Sequence, residues 1–393
     1  MLFQTLDDKS ECVGVYANGE LEFKGIPDNI SKTWNYSNFL NGLDIDYAQI
    51  YCHGKTLDEV CPAHLLEDWE RISNRLKAFI RANNLAKVNL LENCFFDLTP
   101  ERFLKEYCEI KNQICDWVFQ KYQRPENHDH LASIQEVLSD IRYRKVNFDS
   151  TPLQKYWGEN KAKLLFKKFS GSDVYCKYSL FGSVTGRLTL EKGSLPILNM
   201  KKEHRACIKP NNDFFLELDY NAAEARVVLA LLNKEQPLED IHEYHATNLY
   251  QCSRADAKKR FFAWLYNPNS DDSLSSGQYD RDEILSRYRL YDSVETLFKR
   301  KIKCDDFHAF NYLIQSTCAD MVLDRMVAIY KLLQGRKSYV AFTLHDSVIL
   351  DFASEDKDLI KSIIAEYRNT KLGNFKTTVS AGKDLYNINK ICI

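Results

Sequence analysis

Two carboxylates follow strand-like runs of apolar residues in the second half of the chain. Asp219 ends the run that begins at Phe214, and Asp346 follows the run Tyr339–Leu344 after a single histidine. Short apolar runs of this kind predict β-strands, so each carboxylate is expected at a strand end. An acid in such a place is usually a turn residue or a helix cap. Two of them brought together could instead hold Mg²⁺, which prefers oxygen ligands.

A helix between these two carboxylates could hold a nucleotide. The segment from Arg254 to Tyr266 is predicted to be helical, and Arg254, Lys258, Phe262 and Tyr266 lie four residues apart along it. Residues at that spacing share one face of a helix. The two cations could bind a triphosphate, and the two aromatic rings could stack on a sugar and base. The alternative is a solvated basic helix whose aromatic side chains point into the core.

Five segments between residues 183 and 351 carry polar and charged residues at fixed spacings. In chain order the segments are Ser183-Val-Thr-Gly-Arg-Leu-Thr189, Leu218-Asp-Tyr-Asn-Ala-Ala-Glu-Ala-Arg226, Arg254-x3-Lys258-x3-Phe262-x3-Tyr266, Asn311-x3-Gln315-x-Thr317-x2-Asp320 and Leu344-His-Asp-Ser347. Their order resembles that in the family A DNA polymerases, the bacterial polymerase I type. Residues 344–347 resemble motif C of that family, 218–226 resemble motif A, and the helix from 254 to 266 resembles motif B. The residues before about 170 resemble the family only weakly, by helical content and position.

The resemblance implies an α+β right-hand polymerase fold with an antiparallel palm sheet, helical fingers and a helical thumb. Residues 171–232 and 301–393 would form the palm, 233–300 the fingers, and 61–170 the thumb-like region. Residues 1–60 are predicted to be a small β-rich module with a hairpin turn at Asn18-Gly19. This module has ten acidic and four basic residues, a net charge of −6, and no motif identifies its role. It could bind a replication partner.

The resemblance also implies nucleotidyl transfer with two Mg²⁺ ions, for which Mn²⁺ could substitute. Asp219, Asp346 and the carbonyl of Tyr220 would hold the ions, which would activate the primer 3′-hydroxyl and stabilise the leaving pyrophosphate. Lys258 would act in catalysis and, with Arg254, would bind the triphosphate.

The remaining implied roles concern the sugar, the base and the DNA. Glu224 would exclude the ribose 2′-hydroxyl, Tyr266 would close over the new base pair, and Phe262 implies discrimination against dideoxynucleotides. Residues 151–210 have a net charge of +8 and would contact the phosphate backbone. The side chains expected to bind the primer–template are Arg187, Arg226, Asn311, Gln315 and His345.

Two departures from the family pattern leave other functions open. Ser347 stands where many members have Glu, so the third carboxylate of the site is absent, and Ala222-Ala223 replace larger residues. The first alternative is a single-subunit phage-type RNA polymerase, whose motif C resembles His345-Asp346-Ser347; Glu224 and Phe262 oppose it. The second is a non-catalytic nucleic-acid-binding protein on the same fold, which the retained carboxylates oppose.

The elements outside these motifs carry no recognisable chemistry. Three helices with apolar stripes are expected between residues 62 and 141, one of them with Thr99 as its N-cap. The segment Asp271–Gly277 is predicted to be a loop. Asp7, Asp8 and Glu11 are the only early acidic cluster, and we expect a solvated turn there rather than an exonuclease site. The prediction is therefore a short polymerase without proofreading, a form that suggests a phage enzyme.

Composition excludes several classes of protein. The chain has 393 residues, 45% hydrophobic and 27% charged, with a net charge of −2. Enough apolar surface is available to exclude disorder, and the balanced charge argues against a histone-like protein. No apolar run approaches the roughly 20 residues that span a bilayer, and no secretory signal is seen. We expect a monomer in a bacterial or phage-infected host cytoplasm, with no membrane association.

Overall fold

The computed structural model describes residues 1–8, 11–90 and 93–391. These residues form two compact units, Met1–Tyr143 and Arg144–Ile393. In the described part of the chain, every helix is too short or too polar to cross a membrane.

The first unit combines a small antiparallel sheet with three long helices. The order of its main sheet is β1-β2-β3, and the β2–β3 turn has Asn18 and Gly19 at φ of 51° and 82°. The hairpin predicted at these residues is therefore confirmed. The elements are β1 (Phe3–Asp8), β2 (Glu11–Ala17), β3 (Glu20–Glu22), β4 (Lys32–Thr33), β5 (Asp46–Tyr47), α1 (Ala48–Tyr51), α2 (Leu57–Val60), α3 (Leu66–Leu85), α4 (Glu101–Lys121) and α5 (His128–Tyr143).

Residues 1–60 share one hydrophobic core with the helices that follow them. Leu6 of β1 and Tyr16 of β2 belong to the same buried cluster as Trp69 of α3 and Phe103 of α4. A sheet of three short strands is only marginally stable by itself. Burial of this apolar surface against the helices stabilises it.

Two local expectations for the first unit are wrong. The Thr99 hydroxyl donates to the carbonyl of Phe95 at 2.8 Å rather than capping α4, whose N-cap is Pro100. Asp7 and Asp8 end β1 instead of forming a solvated turn. Burial raises the pKa of Asp7, and Asp8 accepts a hydrogen bond from the backbone N–H of Phe95 at 2.6 Å.

The second unit is organised around a five-stranded antiparallel sheet with the order β13-β14-β10-β17-β18. Its strands are β6 (Asn147–Phe148), β7 (Tyr178–Ser179), β8 (Thr189–Leu190), β9 (Ile208–Lys209), β10 (Phe214–Tyr220), β11 (Ser293–Glu295), β12 (Lys301–Lys303), β13 (Tyr339–Leu344), β14 (Ser347–Phe352), β15 (Asn369–Thr370), β16 (Gly373–Asn374), β17 (Thr377–Gly382) and β18 (Ile388–Lys390). Its helices are α6 (Asn160–Phe169), α7 (Ala223–Leu231), α8 (Ile241–Tyr244), α9 (Arg254–Tyr266), α10 (Ser273–Gln278), α11 (Arg281–Tyr288), α12 (Asp306–Leu332) and α13 (Ile360–Arg368).

The predicted strands at Phe214 and Tyr339 are confirmed, and so is the helix predicted from Arg254 to Tyr266. The predicted loop Asp271–Gly277 is wrong, because α10 occupies most of it. Asp272 caps this helix by accepting a hydrogen bond from the N–H of Ser275 at 3.0 Å. The indole of Trp264 donates to the hydroxyl of Ser276 at 3.1 Å. Tertiary hydrogen bonds thus stabilise a polar segment that has little helical pattern of its own.

Candidate active site

The sheet brings Asp219 and Asp346 to one end of two neighbouring strands. Asp219 pairs directly opposite Ser347, and Asp346 lies in the tight turn between β13 and β14. The expected position of Asp346 at a strand end is thus confirmed. His345 has φ of 57° and Ala222, three residues after Asp219, has φ of 50°. Non-glycine residues held in this left-handed region store backbone strain, which is often found at functional sites.

Asp219 lies in an electrostatically unfavourable position. Burial raises its pKa to about 7, and the neighbouring charges of Glu217 and Asp346 act in the same direction. Lys390 and Lys258 oppose this shift only in part. The end of the strand therefore concentrates negative charge, which a cation would neutralise.

Glu217 is a third carboxylate that the sequence interpretation missed. It lies two residues before Asp219, on the same face of β10. The hydroxyl of Ser347 lies 3.3 Å from Glu217 Oε1 and 3.0 Å from the carbonyl oxygen of Leu344, and either oxygen can accept its single proton. Burial raises the pKa of Glu217. Its signal in the sequence is an acidic residue within an otherwise apolar strand.

The residues present fit magnesium better than a transition metal. Within residues 1–8, 11–90 and 93–391, no group of three or more His, Cys, Asp or Glu side chains is arranged to hold a metal ion. Mg²⁺ is usually bound by one or two carboxylates together with substrate phosphates and water. Asp219 and Asp346 are two neighbouring carboxylates of this kind.

The four residues predicted to share one face of α9 do so. The rings of Phe262 and Tyr266 stack with centroids 5.5 Å apart, and Lys258 Nζ lies 5.9 Å from the centre of the Phe262 ring. Phe261 and Trp264 are completely buried on the opposite face. Phe262 is only half-buried and Tyr266 is exposed, so the alternative in which the aromatic side chains of the helix point into the core does not hold for these two residues.

Glu224 connects three of the sequence motifs. It is 5% exposed, accepts a hydrogen bond from the Tyr266 hydroxyl at 2.7 Å, and forms an ion pair with Arg187. Burial raises the pKa of Glu224, whereas its two partners lower it. The Glu224 side chain is therefore fixed by two groups, the Tyr266 hydroxyl of α9 and the guanidinium of Arg187.

A cavity of about 400 Å³ lies beside Asp346. Arg187, His345 and Asp346 line it, together with residues of β8, α12 and β13 and with Leu198 and Asn199. Further along α12, Gln315 Nε2 donates to Asn311 Oδ1 at 2.6 Å, so both side chains lie on one surface of that helix. Four of the five residues predicted to bind DNA are thus at least partly exposed to solvent, and all four belong to the second unit.

The fifth, Arg226, is placed where it cannot contact DNA. Its side chain is 1% exposed and donates hydrogen bonds to the carbonyls of Asn221, Pro237 and Glu239 at 2.8, 2.9 and 2.9 Å. The prediction that Arg226 binds DNA is therefore wrong, because the guanidinium is used to satisfy buried carbonyl groups.

Further residues near the site were also missed. Arg300 forms a buried ion pair with Asp320 at 2.6 Å, and it packs against Gly186, which has φ of 74°. A Cβ at Gly186 would lie 2.4 Å from Arg300 Cζ, so this position requires glycine. His242 is buried with its ring centre 5.8 Å from that of Phe262. In the sequence, only its position two residues after Asp240, which caps α8, could have indicated His242.

The placement of Arg226 predicts an effect on stability. Arg226→Met removes the donors but keeps much of the side-chain volume, which leaves several buried carbonyls without partners. We expect the free energy of unfolding, measured by urea denaturation, to fall by roughly 2–4 kcal/mol. Lys259→Met at an exposed position is the control. A variant that keeps its stability and loses DNA affinity would show that Arg226 binds DNA after all.

The raised pKa of Asp219 predicts a stability that depends on pH. The folded pKa of about 7 lies above the ordinary value of 3.8. Between these values the folded state retains a proton that the unfolded state has lost, so stability falls as pH rises. In metal-free buffer, Asp219→Asn should therefore stabilise the protein at pH 8 by roughly 1–3 kcal/mol and have little effect at pH 4.

The measurement is chemical denaturation of both proteins across this pH range. Asp271→Asn, which alters an exposed carboxylate in a loop, should change little at either pH. Equal stabilisation by Asp219→Asn at both pH values would contradict the electrostatic explanation.

Comparison with known proteins supports the fold through structural similarity, whereas comparison of sequences finds no match. No protein-family model matches the chain, and no curated protein is recognisably similar. Among solved structures 129 chains are similar. One is the POL domain of Pol1 from M. smegmatis in complex with DNA primer-template and dNTP; it is 11% identical, with a TM-score of 0.65 over 98% of this chain and 95% of that one. The predicted mixed α+β polymerase fold is confirmed.

Proposed function

We propose that the protein is a template-directed DNA polymerase, which adds deoxynucleotides to a primer 3′-hydroxyl and releases pyrophosphate. One observation carries this proposal. A single unit places Asp219 and Asp346 together at the end of a sheet, and Glu224 connects this region to the exposed cationic and aromatic face of α9. The similar POL domain was solved with primer-template DNA and dNTP, which supports the same substrates here.

Asp219, Asp346 and the carbonyl of Tyr220 would hold two Mg²⁺ ions, or Mn²⁺ in their place. When bound, these ions supply Lewis-acid activation of the attacking oxygen and neutralise charge on the phosphates. The protein's contribution is to keep two carboxylates close together despite their repulsion, so that little rearrangement is needed when the ions bind.

The face of α9 would bind the incoming nucleotide. Lys258 and Arg254 would neutralise and orient the triphosphate, which removes much of the entropic cost of bringing the reactants together. Phe262 and Tyr266 already stack on each other and present apolar surface to a sugar and base. Glu224, fixed by Arg187 and Tyr266, would occupy the space that a 2′-hydroxyl needs.

The cavity beside Asp346 would receive the primer end. Arg187 and His345 line it, and Asn311 and Gln315 follow on the surface of α12. Side chains of these types donate hydrogen bonds to base edges and phosphates. The basic segment 151–210 would add contacts to the backbone that do not depend on base sequence.

Ser347 favours one other function, that of a single-subunit RNA polymerase. Its hydroxyl lies 3.3 Å from Glu217 Oε1, within hydrogen-bonding distance. The serine is therefore part of the site and does not merely stand where a carboxylate is missing. Comparison of deoxynucleotides with ribonucleotides in primer extension distinguishes the two polymerases.

Asp346→Asn should abolish primer extension, with a loss of at least roughly 10³-fold in kcat, because a ligand that must be negatively charged becomes neutral. Its affinity for a primed duplex, measured by fluorescence anisotropy, should change little. Asp351→Asn is unsuitable as a control, because Asp351 accepts hydrogen bonds from the N–H groups of Asn211 and Asn212 at 2.7 and 2.8 Å. Asp271→Asn is the control, and extension by Asp346→Asn at the wild-type rate would reject the site.

Glu224→Ala should raise the ratio of ribonucleotide to deoxynucleotide incorporation by roughly tenfold or more, since it removes the group that would exclude the 2′-hydroxyl. Glu224→Gln keeps the size of the side chain and should change this ratio less. The measurement is kcat/KM for each nucleotide in single-nucleotide primer extension. A wild-type preference for ribonucleotides would instead favour the RNA polymerase.

The absence of proofreading stays a prediction, as do the bounds of the five predicted segments, the phage origin and a partner for residues 1–60. Extension from a primer with a mismatched 3′ end tests the first of these. Removal of the mismatched nucleotide before extension would show that an exonuclease is present.

A further inference from the structure

A buried hydrogen-bond network connects the residue after Tyr220 with the loop that leads to α8. Arg226 donates from Nε to the carbonyl of Asn221 at 2.8 Å and from Nη2 to Asn221 Oδ1 at 3.0 Å. The same guanidinium donates to the carbonyls of Pro237 and Glu239, both at 2.9 Å. Pro237 and Glu239 lie within three residues before Asp240 in the chain. By binding their carbonyl groups, Arg226 fixes the position of Asp240 at the end of this loop.

Asp240 is the junction of this network and accepts five hydrogen bonds. Asn221 Nδ2 donates to its Oδ2 at 2.7 Å, which ties Asp240 to the end of the catalytic strand. The backbone N–H groups of His242 and Glu243 donate to its Oδ1 at 3.0 Å each and so cap α8. The last two hydrogen bonds come from Arg254, at 3.1 Å from Nε and 2.8 Å from Nη2.

The ion pair holds Arg254 by one edge of its guanidinium. Two of the five N–H groups of the side chain donate to Asp240, and three remain outside the pair. The Arg254 side chain is 48% exposed, against 30% for Asp240. A carboxylate bound in this way fixes the plane of the guanidinium and leaves its other edge for a second anion.

We propose that Asp240 is a positioning residue for the incoming nucleotide. It orients Arg254 toward the triphosphate and, through Asn221, fixes Arg254 relative to the strand that ends at Asp219. This inference rests on the proposed function, because it takes a nucleoside triphosphate as the ligand of Arg254 and Lys258. Asp240 itself does not touch the nucleotide and acts only through Arg254.

Asp240→Asn is the test, because asparagine can still cap α8 but cannot pair with the guanidinium as an anion. We expect the KM for the deoxynucleotide to rise roughly tenfold, about the contribution of one charge-assisted hydrogen bond, while kcat falls less than about threefold. Asp240→Glu keeps the charge but moves the carboxylate by one methylene, and it should shift KM in the same direction. It also serves if Asp240→Asn fails to fold.

Asp272 provides a matched control on the opposite side of α9. It also caps a helix and forms an ion pair with an arginine of α9, Arg260, whose Nη2 lies 3.0 Å from Asp272 Oδ1. Arg260 packs over the ring of Tyr250 at 4.6 Å and is not on the face of Lys258 and Phe262. Asp272→Asn should therefore lower stability as Asp240→Asn does, but leave the nucleotide KM unchanged.

Two further measurements separate the possible failures. In an Arg254→Gln background, Asp240→Asn should have almost no additional effect on KM; an undiminished effect would overturn the inference. Binding of dATP to a complex with a 3′-dideoxy-terminated primer is measured without turnover, and its Kd should also rise roughly tenfold in Asp240→Asn. An unchanged Kd overturns the inference alone. A wild-type protein that binds dATP without extending primers refutes only the proposed function, and one that does not bind dATP refutes both.

Discussion

The repulsion between carboxylates at the end of the central sheet is the constraint on which the rest of the second unit depends. Strand β10 pairs with β14 so that Asp219 lies opposite Ser347, and a shift of one residue would turn Asp219 to the other face. The buried apolar side chains of both strands fix this register. Hydrophobic packing therefore keeps these carboxylates close together, and the raised pKa of Asp219 reflects first its burial and then the repulsion from Glu217 and Asp346.

Hydrogen bonds and ion pairs connect this end of the sheet to the other segments of the site. Arg187 lies near both Glu224 and Asp346, and Glu224 in turn binds Tyr266 of α9. On the other side, Asn221 connects β10 to Asp240 and so to Arg254. Hydrogen-bond networks hold a geometry well when every group has a partner. Strand β10 and helix α9 are thereby held relative to each other by the protein's own side chains.

The sequence was sufficient for what depends on periodicity and motif order. The strands ending at Asp219 and Asp346, the helix α9 and its exposed face followed from residue spacing and from the family resemblance. What it could not show depends on burial and on contacts between distant residues. An arginine has the same appearance in a sequence whether it meets phosphate or buried carbonyls, so Arg226 was assigned to DNA. Glu217 and Asp240 acquire significance only when strand pairing and loop position bring Ser347 and Arg254 beside them.

In the proposed mechanism, Asp219 and Asp346 together bind the metal ions of nucleotidyl transfer. Its most direct test is the anomalous scattering of Mn²⁺ in crystals of the protein with a dideoxy-terminated primer–template and the next deoxynucleotide. We expect two peaks about 3.5–4 Å apart, both in contact with these two carboxylates. A single peak elsewhere, or none when the nucleotide is bound, would contradict it.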